Sequence, residues 1–487
     1  MKKIFSYITV SAVFLISACL LFISRPVKPA SAQTPATLTV CASGTAGAGG
    51  CNYIGGDGIQ LAIDAVPDGG KILIKNGTYT HNGPIMIDKN KSLEFWGEGE
   101  QTIINQIGNG SYAIYIDGTL IDGSKVITVS NLSIHSQGGG IRVQGKGKVN
   151  ITFNRLSQMK FPPIDYNGYS YTDSQIIIKN NIIFNNPPDT GLIHNPTVIS
   201  GTGIVYVYNN VFYNNQSAGI LLNPYAKREQ YIKNNIFAKS IKTYGSDGYG
   251  IWVTGNQNPE STLVISYNLC WDNEVGCSSG VSLDSTNIID TDPKFFDPAT
   301  GNFRLQSGSP AINTGDPGLF DPDGSASDIG AHGGPEADIP PTGYLDGIDC
   351  NAGWGWGYDY NKGDQPILID FWLEKYRSLN SDLPENIYLG GTLANINRPD
   401  LPFTNKNHGF TMYWKDIQAA ARQYFFSDLN GNKKRTVSAF GINIDKNGKQ
   451  QNYYLGSFMH TLLTQPRDFQ CNQPVLSPTP TVSRTPR

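Results

Sequence analysis

Between residues 126 and 285 two short patterns of apolar and polar positions alternate. The first reads apolar-x-apolar, an Asn, then two or three apolar positions, as in Ile176-Ile177-Ile178-Lys179-Asn180-Asn181-Ile182-Ile183-Phe184 and Val205-Tyr206-Val207-Tyr208-Asn209-Asn210-Val211-Phe212-Tyr213. Aligning six copies places asparagines at 131, 154, 181, 210, 235 and 268. The second pattern is usually Gly-apolar-x-apolar-polar, as in Gly140-Ile141-Arg142-Val143-Gln144 and Gly219-Ile220-Leu221-Leu222-Asn223. Its remaining copies align as Pro163–Asn167, Gly191–Asn195, Gly250–Thr254 and Gly280–Asp284. Two interleaved ladders with one slow period predict a coil of two or three short strands, repeated along an axis.

Stacked coils lie about 4.8 Å apart, the hydrogen-bonding distance between strands, so like residues sit above like residues. Apolar columns then fill the interior. An inward Asn at each turn can bond its neighbours above and below, which explains a poor strand former inside strands. A propeller blade would need about 40–45 residues and four strands. The pattern resembles the right-handed parallel β-helix family of pectate-lyase-like proteins. Upstream, Gly56–Gly70 resembles that family's entry segment, a short amphipathic helix with Ile59, Ile63 and Val66 on one face to cap the core's open end. Downstream, Asp292–Phe296, Phe303–Ile312 and Asp321–Pro335 resemble the closing segment of secreted bacterial β-helix proteins.

After Pro340-Pro341 the pattern changes. Gly343–Cys350, Gly355–Asp359, Pro366–Phe371, Asn407–Phe410 and Thr436–Gly441 resemble a small β-sandwich appended to secreted bacterial enzymes and surface proteins, with sugar binding as its implied role. Trp354, Trp356 and Trp372 are expected to fill the sandwich core, with stacking on sugar rings as the alternative. His408 reads as a turn or core residue. The fold expected is all-β, a single-stranded solenoid followed by a sandwich. Its divisions are 1–32 as a signal peptide or anchor, 33–338 as the β-helix, 339–472 as the sandwich and 473–487 as a Pro/Thr-rich linker.

The address changes which chemistry matters. A basic Met1-Lys2-Lys3, an apolar run from Ile4 to Ser24 and an Ala30-Ser31-Ala32 cleavage site form a secretory signal. The run is long enough to serve as an uncleaved anchor, and Ile16–Cys19 resembles a lipobox; all three readings put the rest of the chain outside the cytoplasm. Cleavage after Ala32 removes four basic residues and no acid, shifting the formal charge from −3 to −7. No basic field exists to hold nucleic acid. The six cysteines that remain suit an oxidising compartment. Short separations suggest Cys41–Cys51 and Cys270–Cys277, leaving Cys350–Cys471, although fifteen pairings are combinatorially open.

Candidate chemistry is positional. The Asn-Thr-Asp, Asp-Asp, Gly-His-Gly and Arg-x-Lys set of polygalacturonase-like enzymes is absent, as is the Arg-x-Pro-x-x-Arg signature of calcium-dependent pectate lyases. If even positions of the second ladder point inward, the outward column is Arg142, Asp165, Ile193, Leu221, Trp252 and Ser282. Arg142 with Asp165 can be an acid–base pair or a sugar clamp, with His194 as a base; the plainer reading is an exposed salt bridge and an interior histidine. Lys227 and Arg228 can neutralise a uronate carboxylate or simply form a solvated turn. Trp252, Tyr166 and Tyr225 are candidates for a sugar-stacking strip. Asp321, Asp323 and Asp328 can bind Ca²⁺, or an Asp-Pro-Asp-Gly turn accounts for them. Asp428–Asn432 imitates an EF-hand start, but Lys433 and Ala439 stand where Gly and Glu are required.

Two functions follow. One is a secreted polysaccharide lyase or glycosidase with an accessory sandwich. The other is a non-catalytic surface adhesin or glycan-binding scaffold. Both are expected to act as a monomer on polysaccharide, without nucleic acid, and with membrane or cell-wall attachment open.

Overall fold

Each repeat folds as three short strands, so the coil has three faces. The computed structural model describes residues 36–459 apart from short internal stretches, the longest being 187–195, 376–385 and 422–434. The first face is a ten-stranded sheet that includes Val126–Ser130, Lys148–Thr152, Gln175–Lys179, Gly203–Tyr208, Arg228–Lys233 and Thr262–Ser266. The second face has eight strands, among them Ser133–Ser136, Arg155–Ser157, Ile182–Asn186, Val211–Asn215, Ile236–Ala238 and Leu269–Trp271. The third, also eight-stranded, includes Tyr112–Gly118, Gly139–Gly145, Ile164–Gly168, Thr197–Gly201, Ala218–Asn223, Tyr249–Val253 and Gly276–Ser279. All pairings within these faces are parallel and join successive coils in register. This is the expected β-helix. Its N-terminal end is covered by the helix Gly55–Ala65, which buries Ile59, Ala62 and Ile63. The buried Lys91 ammonium donates to the carbonyls of Ile63 and Val66, at 2.5 and 2.7 Å, at the helix's C-terminal end, where cations complement the exposed carbonyls.

The asparagine ladder is real, with one correction. Asn154, Asn181, Asn210, Asn235 and Asn268 form a continuous buried column that extends to Asn287. The Nδ2 of Asn210 donates to Ile178 O one coil back, to Tyr208 O of its own coil and to Asn235 Oδ1 in the next coil. Asn131 does not belong to this column. It occupies the preceding position, with φ of 60°, in register with Asn180, Asn209 and Asn234 at 54°, 52° and 56°. Leu132 stands in the ladder position instead, its N–H donating to Asn154 Oδ1. The doubled asparagines therefore split the work: the first takes the left-handed turn that Asn tolerates, and the second bonds inside. A second column, Asn186 over Asn215, sits at the far end of the second face.

From Ile182 onward that second face is buried on both sides. Ile183, Phe212, Phe237 and Cys270 point into the stack, whereas Ile182, Val211, Ile236 and Leu269 point outward. The outward set is covered by Phe295, Phe303, Ala311, Ile329 and Ala331. The expected closing segment thus lies along the outside of the stack as a strap. Side chains of the left-handed asparagines hold it: Asn180 donates to the carbonyls of Ala331 and Gly333, Asn209 to Asp328 O, and Asn234 accepts from Asp316 N. The ion pair of Lys233 with Asp316, 2.7 Å, adds to them.

Beyond the strap, two four-stranded antiparallel sheets face one another. One orders Thr342–Ile348, Ala352–Tyr358, Asn407–Tyr413 and Ile396–Asn397; the other orders Asn386–Leu393, Leu368–Lys375, Arg435–Ile444 and Gln450–Met459. They share a core of Leu345, Ile369, Phe371, Leu373, Leu389, Phe410, Met412 and Trp414. The sandwich is present, but its core tryptophan is Trp414. Trp354 is exposed, and Trp356 and Trp372 are half-buried on the outer faces, against the expectation that they fill the core. His408 is buried, as expected.

Candidate functional site

The third face carries the outward column that positions candidate chemistry. Register pairs Tyr115, Arg142, Asp165, Val198, Leu221, Trp252 and Ser279 in succession. Two expected members are replaced. The strand of the fourth copy is Thr197–Gly201, so Val198 stands where Ile193 was expected, and His194 lies outside the described residues. The last strand is Gly276–Ser279, which puts Ser279 in place of Ser282. In both places the number of residues between successive strands changes from coil to coil, and a ladder aligned by spacing slips.

At the N-terminal part of this column the side chains converge. The Tyr112 hydroxyl donates to Asp165 Oδ2 at 2.7 Å. Arg142 Nη1 lies 3.7 Å from the same oxygen, and its guanidinium carbon sits 5.4 Å from the Tyr112 ring and 5.9 Å from the Tyr115 ring. Tyr115 donates to Gln144 Oε1 at 2.7 Å. Burial first, then the negative Asp165, push the Tyr112 hydroxyl well above its usual value. Tyr115 is raised for the same leading reason. Tyr112 therefore stays a proton donor near neutrality and holds Asp165 by a charge-assisted bond. Arg142 is fixed against two ring faces, a pre-organised cation with donors left for a ligand. Tyr112 and Tyr115 were missed because they precede the first well-aligned copy; the strand Tyr112–Gly118, three of whose residues are aromatic or acidic, is their signal.

The rest of the column is less polar. Val198, Leu221 and Trp252 are half-buried and follow Asp165 coil by coil. At about 4.8 Å per coil, the track from Tyr115 to Trp252 covers about 24 Å.

Two expected contacts are corrected. Tyr166 is 1% exposed: it occupies the inward column between Val143 and Ile199, and its hydroxyl lies 2.7 Å from Ser174 Oγ inside the stack. It cannot stack on a surface ligand. Arg228 is 2% exposed and opens a strand with its side chain directed inward, Nη1 lying 3.5 Å from Ile199 O, so it is not part of a solvated cationic turn. Tyr225 and Lys227 lie outside the described residues.

The expected calcium ligands do not gather into a site, and no group of three or more acidic, His or Cys side chains suited to a metal occurs among the described residues. Asp321 accepts from the N–H groups of Asp328 and Gly334, Asp328 from Asn313 N, and Asp323 from Ser325. Each carboxylate is used to close the strap's own turns. Burial, then the neighbouring Asp328, raise the buried Asp321 to about 7 in spite of its two N–H donors; Asp328 is raised as well, by burial first. A carboxyl raised in the folded state stabilises most when protonated, and that contribution fades as pH climbs from about 4 through 7. Amide-exchange protection of segment 313–334 is accordingly expected to be higher at pH 5 than at pH 8, after correction for intrinsic rates. Equal or reversed protection contradicts this.

Disulfides join Cys41 to Cys51 and Cys270 to Cys277, as the short separations suggested; Cys350 and Cys471 lie outside the described residues. Both bonds fit an oxidising compartment. No helix among the described residues is long and apolar enough to cross a membrane, and residues 1–32 are not among them.

The family comparison agrees with the fold. Residues 112–291 match the family described as the right-handed beta helix region. No curated protein matches the chain. Among solved structures, a PL6 family alginate lyase, AlyGC, aligns at 11% identity and a TM-score of 0.13, covering 64% of this chain. The alignment spans 60% of that enzyme's length.

Proposed function

We propose that this right-handed parallel β-helix protein works outside the cytoplasm and engages polysaccharide along its third face. The cluster of Tyr112, Tyr115, Arg142 and Asp165 carries the reading. It combines an anchored cation, a held carboxylate and two tyrosines on a flat sheet, continued by the track to Trp252. An extended polymer can lie across successive coils, with hydroxyl or carboxylate groups meeting Arg142 and ring faces meeting the aromatic and aliphatic side chains. Among the described residues the cluster holds its carboxylate in a bond with Tyr112, which suits a binding surface.

A second reading, a lyase or glycosidase, draws on the same pair. Arg142 can neutralise a uronate carboxylate and Asp165 can exchange a proton with substrate through Tyr112. The full chain should be tested on neutral and acidic polysaccharides, following retention, absorbance near 235 nm for unsaturated uronates, and new reducing ends. Retention without product is the expected result. Product from one polymer establishes the enzyme, and the two optical readouts separate elimination from hydrolysis. Neither retention nor product overturns both readings.

A further inference from the structure

The strand Ala352–Tyr358 reads Ala-Gly-Trp-Gly-Trp-Gly-Tyr, and its burial inverts the usual order of a sandwich strand. Gly353, Gly355 and Gly357 are the buried positions, whereas Trp354 and Trp356 face outward. A side chain at Gly353 would meet Phe371 of the opposite sheet and Trp414, which follows the strand Asn407–Tyr413, so the core is already filled there. The aromatic mass has been moved to the solvent face.

Neighbouring strands extend that face. Tyr344 pairs with Trp356 in register and is 60% exposed; Trp354 is 38% and Tyr413 49% exposed. The indole of Trp354 lies over Gly347, where a Cβ would come within 2.5 Å of its ring. Ile396, 44% exposed, pairs with Gly409, over which the Arg398 side chain is laid. The ionised groups at the rim satisfy one another. Arg398 binds Asp400 through two bonds of 2.9 and 2.7 Å and reaches Asp346 at 2.5 Å, while the Lys415 ammonium lies 5.4 Å from the Tyr413 ring.

We propose that this outer sheet face, built on Tyr344, Trp354, Trp356 and Tyr413, is a second binding surface, and that its occupant is an uncharged polysaccharide. Successive outward residues on a strand are about 7 Å apart and adjacent strands about 4.8 Å, so the rings form a shallow lattice rather than a pocket. Pyranose rings offer flat C–H faces to aromatic rings and equatorial hydroxyls to a rim of planar polar groups. Arg398 is bound by two carboxylates, Asp346 and Asp400, which leaves this cluster with an excess of negative charge that does not attract a polyanion. The surface shares no residue with the third face of the stack, and the two proposals fail separately.

The test is retention of the full chain on insoluble uncharged polysaccharides (cellulose, xylan and chitin) beside alginate and polygalacturonate, with tryptophan fluorescence as a second readout. Trp354→Ala and Tyr344→Ala are compared with the parent and with Asn150→Ala, on the outer side of the stack's first face, and near-UV circular dichroism with the melting temperature confirms folding. Retention on one uncharged polymer is expected to fall at least tenfold in Tyr344→Ala and in Trp354→Ala, with Asn150→Ala unchanged, and binding should shift the fluorescence. Unchanged retention in both aromatic variants overturns the proposal, as does retention on acidic polymers alone. A fluorescence change on ending the chain at residue 472 shows instead that the tail covers this face, and concentration-dependent dimerisation lost in Tyr344→Ala shows a second copy. Either result also overturns it.

Discussion

Asn210→Ala is expected to destabilise the stack by about 4 kcal/mol, because each buried polar group left unpaired costs about 1–3 kcal/mol. The side chain serves three coils. Its Oδ1 accepts from both the backbone N–H and the Nδ2 of Asn181, and its Nδ2 satisfies two carbonyls and the next asparagine. Alanine removes all of these at a site with no solvent exposure. Asn210→Asp should be at least as damaging, since it sets an acceptor against Ile178 O, Tyr208 O and Asn235 Oδ1. Asn150, on the outer side of the first face and bonded among the described residues to Thr128 Oγ1, is the control; its alanine variant should change stability by about 0.5 kcal/mol or less. Chemical denaturation checks the series. Equal effects at Asn210 and Asn150 would show that the ladder follows from the fold without supporting it.

Phe212→Ala should cost about 3–5 kcal/mol, the range for emptying a buried aromatic site. Phe212 is fully buried and stacks on Phe237 of the next coil, centroids 4.9 Å apart and planes 10° from parallel. Its outward neighbour Val211 is pinned beneath the strap, so the site has little freedom to collapse. The loss should also be local. Each coil touches only its neighbours, so limited proteolysis is expected to open residues 197–253 first, while the coils before residue 160 keep their protection. Cleavage spread evenly along the stack contradicts a nearest-neighbour solenoid.

Fold was legible wherever the chain repeats itself. Two interleaved columns and the inward side chains of Ile141, Val143, Ile220, Leu222 and Ile251 followed from period alone, because parallel coils in register force like over like. Ile182-Ile183-Phe184 and Val211-Phe212-Tyr213 carried a further message, since consecutive rather than alternating apolar residues mark a strand covered on both faces. The outward position changes from Ser133 and Arg155 to Ile182 and Val211, and among the described residues the strap's apolar cover begins at that change. Where coils differ in length, spacing misled: Asn131, Ile193 and Ser282 were each placed in columns that belong to Leu132, Val198 and Ser279. Burial of single polar residues was illegible. Nothing local marks Tyr166 as inward beside an outward Asp165 except the parity of the strand, which the grouping by residue type overrode. Trp354 and Trp356 required the opposite inference. Their alternating glycines, not their own hydrophobicity, say which way they face.

We propose that the third face holds polysaccharide through Arg142. Retention of the full chain on the polymer it binds best, at matched salt, should be compared with that of Arg142→Ala after both are shown to melt alike. At least a tenfold loss is expected for the variant on any polymer held by this face, with Asp165→Asn weakened less because Tyr112 still positions its side chain. Parent and variant retained equally on every polymer, including the acidic ones, would contradict it.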